Sequence, residues 1–286
     1  FTAVFERLPE RSTVKGGRRL YEFSSVPVIG GGERGVAIVR CPSQGENIAQ
    51  SVTGDMIRDL QPRILLLVGI AGGVPSDDFS LGDVLLASRL HDFSVTAALQ
   101  NGTSQLNVGG GPVHKIVENL LAHLPALLHR MPKWNASESI GHDVPDVKIP
   151  EDINATEVYG PDSWKSRVIE TLKRHFAPDH VRRAPLAYVG PTASSNQLVK
   201  DADLVQQWQE AARSVTHIEM ELAGVVQAAR DADGGEVPVI AIRGLSDIVG
   251  FRRDSDWTGY ACHSAASFCF EIIRSKIIEE ATPWDW

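Results

Sequence analysis

Short apolar runs alternate with longer amphipathic segments through most of the chain. The short runs predict β-strands at residues 21–29, 36–39, 63–68, 81–90, 184–189 and 237–242. The longer segments predict helices at residues 45–60, 113–129, 163–176, 220–231 and 257–278. Because strand, helix and strand follow one another as in βαβ units, the pattern predicts an α/β fold with a mixed, mostly parallel central β-sheet flanked by helices.

Residues 1–286 are interpreted as one domain, since a chain of this length can bury a single large core. A helical pattern begins at Phe1 without a capping residue before it, so we expect further residues upstream, including the first strand of the sheet. Residues 101–160 show the least regular periodicity, and we expect an insertion or a surface excursion around residues 100–180.

Composition narrows the class of ligand. The formal net charge is -8 and no run of Lys or Arg forms a basic face, which argues against a nucleic-acid partner. No apolar run is long enough to span a membrane. The three cysteines have neither a disulfide nor a zinc spacing. We therefore expect a cytoplasmic protein, without a metal or cofactor, that binds a small polar molecule or a protein surface.

The stretch from residue 217 to residue 247 concentrates the candidate chemistry. Glu219 and Glu221 precede a helix, and Arg243, Ser246 and Asp247 follow the apolar run 237–242. Ligands of open α/β sheets bind at the carboxyl ends of strands, so these side chains are candidates to meet in one crevice. An alternative is structural, because acidic residues also complement a helix N-terminus and Asp caps turns.

Residues 69–73, Gly-Ile-Ala-Gly-Gly, follow the apolar run 63–68 directly. Glycines at this position let the backbone turn sharply and approach a ligand. The segment lacks the lysine of a phosphate-binding loop and the spacing of a dinucleotide fingerprint, so a tight structural turn stays an equal alternative. His91 and Asp92 are adjacent on a predicted strand and point to opposite faces, which disfavours an acid/base pair.

Several short motifs together resemble the purine nucleoside phosphorylase superfamily, and most closely its methylthioadenosine/S-adenosylhomocysteine nucleosidases and nucleosidase-like effector domains. The similarity covers about residues 1–280 and is weakest over residues 100–180. In chain order, the matching positions are Gly45, Asn47, Pro62, residues 69–73, 81–84, 91–92, 95–96, 219–221 and 243–247.

The resemblance implies roles for these residues. Met220 and Glu221 would line the ribose, and Asp247 would be the general acid that protonates N7 of the departing purine. Such catalysis is typically worth about 10²–10⁴-fold. Ser246 and Arg243 would support Asp247, although Arg243 is not expected to pair with it directly, because a nearby cation opposes protonation. Ala71, Gly72 and Glu219 complete the implied set of substrate-binding residues on these motifs.

The resemblance also bears on the nucleophile. Phosphorylases hold phosphate with an arginine and a hydroxyl residue at positions that are Leu67 and Ile70 here. Two aliphatic side chains cannot replace the water around a phosphate, so water is favoured as the nucleophile. In the nucleosidases a glutamate activates this water, and it would fall immediately before Phe1.

The purine and the 5′ substituent are less well defined. Residues 190–196 contain no aromatic side chain to stack on a purine, and Phe93 or Phe251 is the candidate for that contact. The loop is instead similar to the polar version in effector-like relatives, some of which cleave adenine from ATP, and it offers Ser194, Ser195 and Asn196. Arg252 and Arg253 are candidates for a 5′-phosphate chain, because arginine matches phosphate geometry.

The sequence thus predicts hydrolysis of the N-glycosidic bond of an adenine nucleoside or nucleotide, either as an ATP-depleting defence effector or in salvage of methylthioadenosine or S-adenosylhomocysteine. Two further functions stay open, a phosphate-dependent phosphorylase and a non-catalytic nucleotide sensor. The family resemblance further implies a homo-oligomer.

Overall fold

Two β-sheets and the helices around them make up the computed structural model, which describes residues 1–98, 104–131, 133–177, 183–196 and 202–281. A three-stranded antiparallel meander comes first in the chain and consists of β1 (Arg11–Lys15), β2 (Leu20–Pro27) and β3 (Glu33–Ile38). The larger sheet has six strands, β4 (Leu65–Gly73), β5 (Val84–Ala98), β6 (Ser104–Pro112), β7 (Ala187–Ser194), β8 (His217–Glu219) and β9 (Val239–Ile248).

The strands of the larger sheet are hydrogen-bonded in the order β6-β5-β7-β8-β4-β9, and a further pairing of β5 with β9 closes five of them into a ring. Parallel pairs join β4 to β9, β5 to β7 and β7 to β8. Antiparallel pairs join β4 to β8, β5 to β6 and β5 to β9. The predicted class, a mixed sheet in an α/β fold, is confirmed.

The helices flank this sheet. The described ones are α1 (Thr2–Phe5), α2 (Glu46–Leu60), α3 (Lys115–Leu127), α4 (Ser137–Ile140), α5 (Asp162–Phe176), α6 (Ala202–Ala211), α7 (Leu222–Arg230), α8 (Ser255–Arg274) and α9 (Ile277–Ala281). None of the helices within the described ranges is both long and apolar enough to cross a bilayer. Small residues let α8 pack closely on the sheet, since the backbone of Ala261 on α8 lies directly against Gly244 on β9.

The segment predicted as an insertion contributes to the core instead of running over the surface. Leu120 and Leu124 of α3 are buried in one of the large apolar clusters. Trp164 and Leu172 of α5 are buried in another. The two helices carry their apolar residues on one face each, so part of the expected surface excursion is internal structure.

Three local predictions differ from the structure. Residues 69–73 are not a turn but the end of β4, and residues 190–194 are not a loop but the end of β7. Ser246 and Asp247 lie inside β9 and not in a turn after it. In each case polar or small residues continue a strand because their backbone groups remain paired with neighbouring strands, which outweighs local propensity.

Candidate active site

A cavity of about 640 Å³ runs along β4 and reaches the carboxyl ends of β8 and β9. Its wall has two chemically different parts. The apolar part contains residues 37–39 from the end of β3 and residues 65–68 from β4. The polar part lies further along β4, because the register pairs Gly69 with Arg243 and Gly72 with Asp247. It contains most of the predicted site residues, namely Ala71, Gly72, Glu219, Met220, Glu221, Arg243, Ser246, Asp247 and Arg253.

Arg243 organises the acidic side of the polar part. Its Nη2 donates to Glu219 Oε2 and, at 3.1 Å, to Glu221 Oε2. The side chains of Arg243 and Glu219 are almost fully buried, whereas that of Glu221 is 17% exposed. Arg243 therefore supports the two glutamates, which corrects the expectation that it would support Asp247.

The two glutamates have different tasks. Glu219 Oε2 also accepts from the backbone N–H groups of Glu221 at 2.9 Å and Leu222 at 2.8 Å, so it caps the N-terminus of α7. The structural role that acidic residues can play at a helix N-terminus thus applies to Glu219. Glu221 keeps carboxylate capacity for a ligand, because the hydrogen bond from Arg243 occupies only one of its oxygens.

Glycines of β4 make room for the side chains of β9. A Cβ on Gly69 would lie 2.2 Å from Nη1 of Arg243, and a Cβ on Gly72 would lie 3.0 Å from Oδ2 of Asp247. The distance of 2.2 Å at Gly69 is shorter than Cβ atoms show in real proteins, so no larger residue fits there unless Arg243 moves. The glycine-rich segment therefore admits two functional side chains, rather than forming the turn that the sequence predicts.

Asp247 is held by its neighbour. Ser246 Oγ lies 2.6 Å from Asp247 Oδ1 and 3.3 Å from the carbonyl oxygen of Ala71. A hydroxyl has one proton to donate, and the shorter contact places it on the carboxylate. Arg253 Nε lies 3.8 Å from the same Oδ1, and the Asp247 side chain is 25% exposed. A carboxyl group with a fixed orientation and access to the cavity suits proton transfer to a ligand.

Two residues that the sequence motifs did not identify also line the polar part. Tyr159 is half-buried and donates from its hydroxyl to the carbonyl oxygen of Phe251 at 3.1 Å. Burial, followed by the charge of Asp247, raises the pKa of Tyr159. Burial, followed by the charge of Glu221, raises the pKa of Cys41. Tyr159 lies in the aperiodic stretch before α5, where no pattern in the sequence identified it.

Ser194, Ser195 and Asn196 belong to the framework and not to the cavity wall. Ser194 Oγ contacts Glu46 Oε1 at 3.2 Å, and Asn196 Nδ2 contacts Glu46 Oε2 at 3.1 Å. Ser94 Oγ contacts the same carboxylate at 2.5 Å. Burial raises the pKa of Glu46, although the hydrogen bonds from Ser94 and Ser194 partly oppose the effect. Their predicted contact with a purine is replaced by a network that joins β5, β7 and α2.

Phe93 and Arg252 also lie away from the cavity wall. Phe93 is buried in the core and stacks on Trp208 with ring centroids 4.5 Å apart. Phe251 is likewise buried in the core. Arg252 is exposed. Neither phenylalanine is placed to stack on a ligand in this cavity, because an apolar ring buried against the core has no face left for one.

Within the described ranges, no group of three or more His, Cys, Asp and Glu side chains is arranged to hold a metal ion. The polar part thus combines the cluster of Arg243, Glu219 and Glu221 with Asp247, which is hydrogen-bonded to Ser246. Glu219 is the last residue of β8, and Ser246 and Asp247 lie near the carboxyl end of β9. The fold is that of an α/β protein, and the carboxylates of its candidate site are suited to a small polar ligand.

The chain belongs to the phosphorylase superfamily, whose family model matches residues 4–274. This confirms the family that the motifs resemble. Two relatives are a death domain-containing ATP nucleosidase of Amphimedon queenslandica and an ATP nucleosidase of Escherichia coli, each 23% identical. The matches cover 79% and 83% of this chain but 36% and 40% of the relatives, so the chain spans less than half of their length.

Solved structures share the fold. A methylthioadenosine/S-adenosylhomocysteine nucleosidase of Colwellia psychrerythraea in complex with adenine superimposes with a TM-score of 0.62 at 15% identity, covering 98% of this chain and 90% of the other. The futalosine hydrolase of Helicobacter pylori gives 0.58 at 16% identity, covering 95% and 91%. At these identities the comparison establishes the fold alone.

Proposed function

We propose that this domain is a purine N-ribosyl hydrolase that releases adenine from an adenine nucleoside or nucleotide. The observation that carries the proposal is the presence, in one cavity, of Asp247 fixed by Ser246 and of Glu221 fixed by Arg243. The names of the two ATP nucleosidase relatives support ATP as the substrate. A role as an ATP-depleting defence effector is part of the proposal.

The proposed chemistry assigns one task to each carboxyl group. Glu221 accepts hydrogen bonds from the ribose hydroxyls and holds the sugar beside Met220. Asp247 donates a proton to N7 of the purine while the bond from C1′ to the base breaks, so that adenine leaves as a neutral molecule. Water supplies the hydroxyl group that C1′ gains, and its remaining proton restores Asp247 through solvent. General acid catalysis of this kind typically contributes about 10²–10⁴-fold.

Water is favoured over phosphate as the nucleophile. Leu67 and Ile70 both line the cavity, and an aliphatic wall offers a phosphate ion no donors to replace its water shell. A small neutral nucleophile can enter such a site without this cost. The proposal therefore predicts adenine release that does not depend on added phosphate.

We also propose that the strand expected upstream of Phe1 lies along the apolar part of the cavity and brings a water-activating glutamate. Strand β4 pairs with β9 along its length but with β8 only at Gly72 and Gly73. Elsewhere on that second edge no strand within the described residues pairs with β4. Phe1 and Val4 line the same cavity, so a chain continuing from Phe1 begins beside this edge.

A substrate panel tests the proposed activity. The purified protein is incubated with ATP, AMP, adenosine and methylthioadenosine, with and without phosphate, and free adenine is measured by chromatography. We expect phosphate-independent release that Asp247→Asn lowers by about 10² or more. Asp233→Asn, which changes an aspartate outside the cavity, is the matched control.

Each outcome of the panel decides between functions. Undiminished release by Asp247→Asn refutes the proposed acid. Release only with phosphate favours a phosphorylase, and release from methylthioadenosine alone favours the salvage enzyme. Binding without release from any substrate favours a nucleotide sensor. A homo-oligomeric state and a cytoplasmic location stay predictions.

A further inference from the structure

The positive side chains on the cavity wall are Arg40, Arg243 and Arg253, and no lysine or histidine is among the wall residues that the structure describes. Arg243 is committed to Glu219 and Glu221. Arg40 and Arg253 are therefore the cations with capacity for a ligand, and no motif in the sequence marked Arg40.

Arg40 follows the last residue of β3 by two positions and is exposed. Over the described part of the chain it makes no hydrogen bond and no ion pair. Its neighbour Cys41 lies close enough to Glu221 for the glutamate charge to act on the thiol. The segment that carries Arg40 thus lies beside the carboxylate that is proposed to hold the sugar, where a cation is within reach of a substituent on the ribose.

Arg253 lies beside Asp247, the proposed acid. Its Nε donates to Thr258 Oγ1 at 3.2 Å and lies 3.8 Å from Asp247 Oδ1. Its two terminal amino groups have no partner among the described residues, and its side chain is 39% exposed. A guanidinium group fixed at Nε with its other donors open is suited to a phosphate oxygen pair.

The carboxylates of the cavity repel a phosphorylated ligand, so such a ligand can bind only if Arg40 and Arg253 contact its phosphate groups. Glu219 and Glu221 are acidic, and the single charge of Arg243 offsets only part of theirs. A polyphosphate chain carries several negative charges, and two unit charges about 4 Å apart interact by about 4 kcal/mol near a protein surface. Unoffset repulsion of that size would prevent binding of a nucleotide, whereas an uncharged thioether substituent needs no arginine.

We infer that Arg40 and Arg253 form the two sides of a subsite for the 5′-phosphate chain of an adenine nucleotide. This inference rests on the proposed function, since it assumes that the base and sugar occupy the polar part of the cavity. Occupation of the subsite also draws the charge of Arg253 towards phosphate and away from Asp247. The nucleotide thereby favours the protonated form of the acid that it needs.

A binding experiment tests the subsite without relying on turnover. In the Asp247→Asn background, the dissociation constants of ATP and adenosine are measured by calorimetry, with and without the further change Arg40→Gln. Loss of a charge-assisted contact is typically worth about 1.5–3 kcal/mol, so we expect ATP to bind roughly 10- to 100-fold more weakly. Arg40→Gln is expected to change the dissociation constant of adenosine by less than about twofold, because adenosine has no phosphate group that Arg40 could contact.

Arg213→Gln is the matched control, because Arg213 is exposed and lies outside the cavity wall. It is expected to leave both constants unchanged. Arg253→Gln is the second variant, and it should weaken ATP binding in the same selective way. Equal weakening of ATP and adenosine by Arg40→Gln, or no effect on ATP, overturns the subsite.

The proposed function is judged separately, by adenine release from the protein with Asp247 intact. Selective ATP binding without adenine release supports the subsite while refuting the hydrolase. Adenine release with no selective effect of Arg40→Gln supports the hydrolase while refuting the subsite.

Discussion

At the scale of single residues, the acidic side of the site depends on one guanidinium and on the absence of one side chain. Arg243 reaches Glu219 and Glu221 because Gly69 on the neighbouring strand leaves its space empty. A buried ion pair of this kind gives little net stability, but breaking it leaves an uncompensated buried charge. Gly69 is therefore as much a determinant of the site as the charged residues.

Gly69→Ala is expected to lower kcat/KM for adenine release by roughly 10- to 100-fold, since a displacement of about 1 Å near reacting groups has effects of this order. The new Cβ would meet Arg243 Nη1 at 2.2 Å and force the guanidinium away from Glu221. Steady-state kinetics with a substrate of the panel measure the effect.

Gly35→Ala is the matched control, because Gly35 also lies in a strand and a Cβ there meets nothing within 4 Å. We expect it to change stability by no more than about 0.5 kcal/mol and to leave the kinetics unchanged. If both substitutions have the same kinetic effect, the role assigned to Gly69 is wrong.

The residues that the sequence could identify were those in short ordered motifs. Glu219, Glu221, Arg243, Ser246 and Asp247 all line the cavity, as the motifs imply. Tyr159 and Arg40 escaped prediction because each stands in an irregular segment, where neither periodicity nor spacing marks one polar residue above its neighbours. Their contribution arises only when distant segments meet.

At the scale of elements, the sequence predicted which segments are strands better than where they end. Strand β9 was expected to stop near Ile242 but continues to Ile248. Arg243 and Asp247 are polar, yet both stay paired with β4, and Arg243 also pairs with β5. Ser246 lies at the irregularity between them, inside the same strand. A pattern of side-chain polarity cannot report this, because the pairing partners lie far away in the sequence.

The open edge of β4 leads to an element-scale prediction. In a chain that carries the strand proposed upstream of Phe1, the backbone N–H groups of β4 that face the apolar part of the cavity are expected to exchange at least about tenfold more slowly. New hydrogen bonds to an added strand would protect them. Hydrogen exchange followed by mass spectrometry compares the chain that carries the proposed strand with the chain that starts at Phe1.

Strand β1 is the internal reference for that comparison, because it is exposed and pairs with β2 alone among the described strands. Its exchange is expected to stay the same in both chains. Unchanged exchange in β4 would show that the upstream residues do not occupy the apolar part of the cavity.

At the scale of the whole molecule, the ring of strands connects the site to overall stability. Strand β8 contributes Glu219 to the cavity and joins β7 to β4 through only a few residues. It also contains His217, which is fully buried. Because His217 and Glu219 lie on the same short strand, a change in the protonation of His217 affects both the candidate site and the stability of the sheet.

His217 gives the molecule an acid-sensitive stability. Burial, followed by the charge of Arg243, lowers the pKa of His217 to about 3. Its Nδ1 lies 2.9 Å from Thr216 Oγ1, and its Nε2 has no partner among the described residues, so the neutral ring is the form that fits. In the unfolded chain the ring takes up a proton near pH 6.5. Below that pH the unfolded state binds more protons than the native state, and the native state loses stability as pH falls.

The loss from this residue is expected to approach about 1.4 kcal/mol per pH unit between pH 6.5 and the native pKa, with no contribution above pH 6.5. Urea unfolding from about pH 7 to about pH 5 measures it. His217→Gln, which does not titrate, should flatten the dependence even if it lowers stability at neutral pH, whereas His123→Gln changes an exposed histidine and should leave the slope unchanged. An equally steep acid loss in His217→Gln would mean that other groups, and not the buried imidazole of β8, set the pH dependence of the fold.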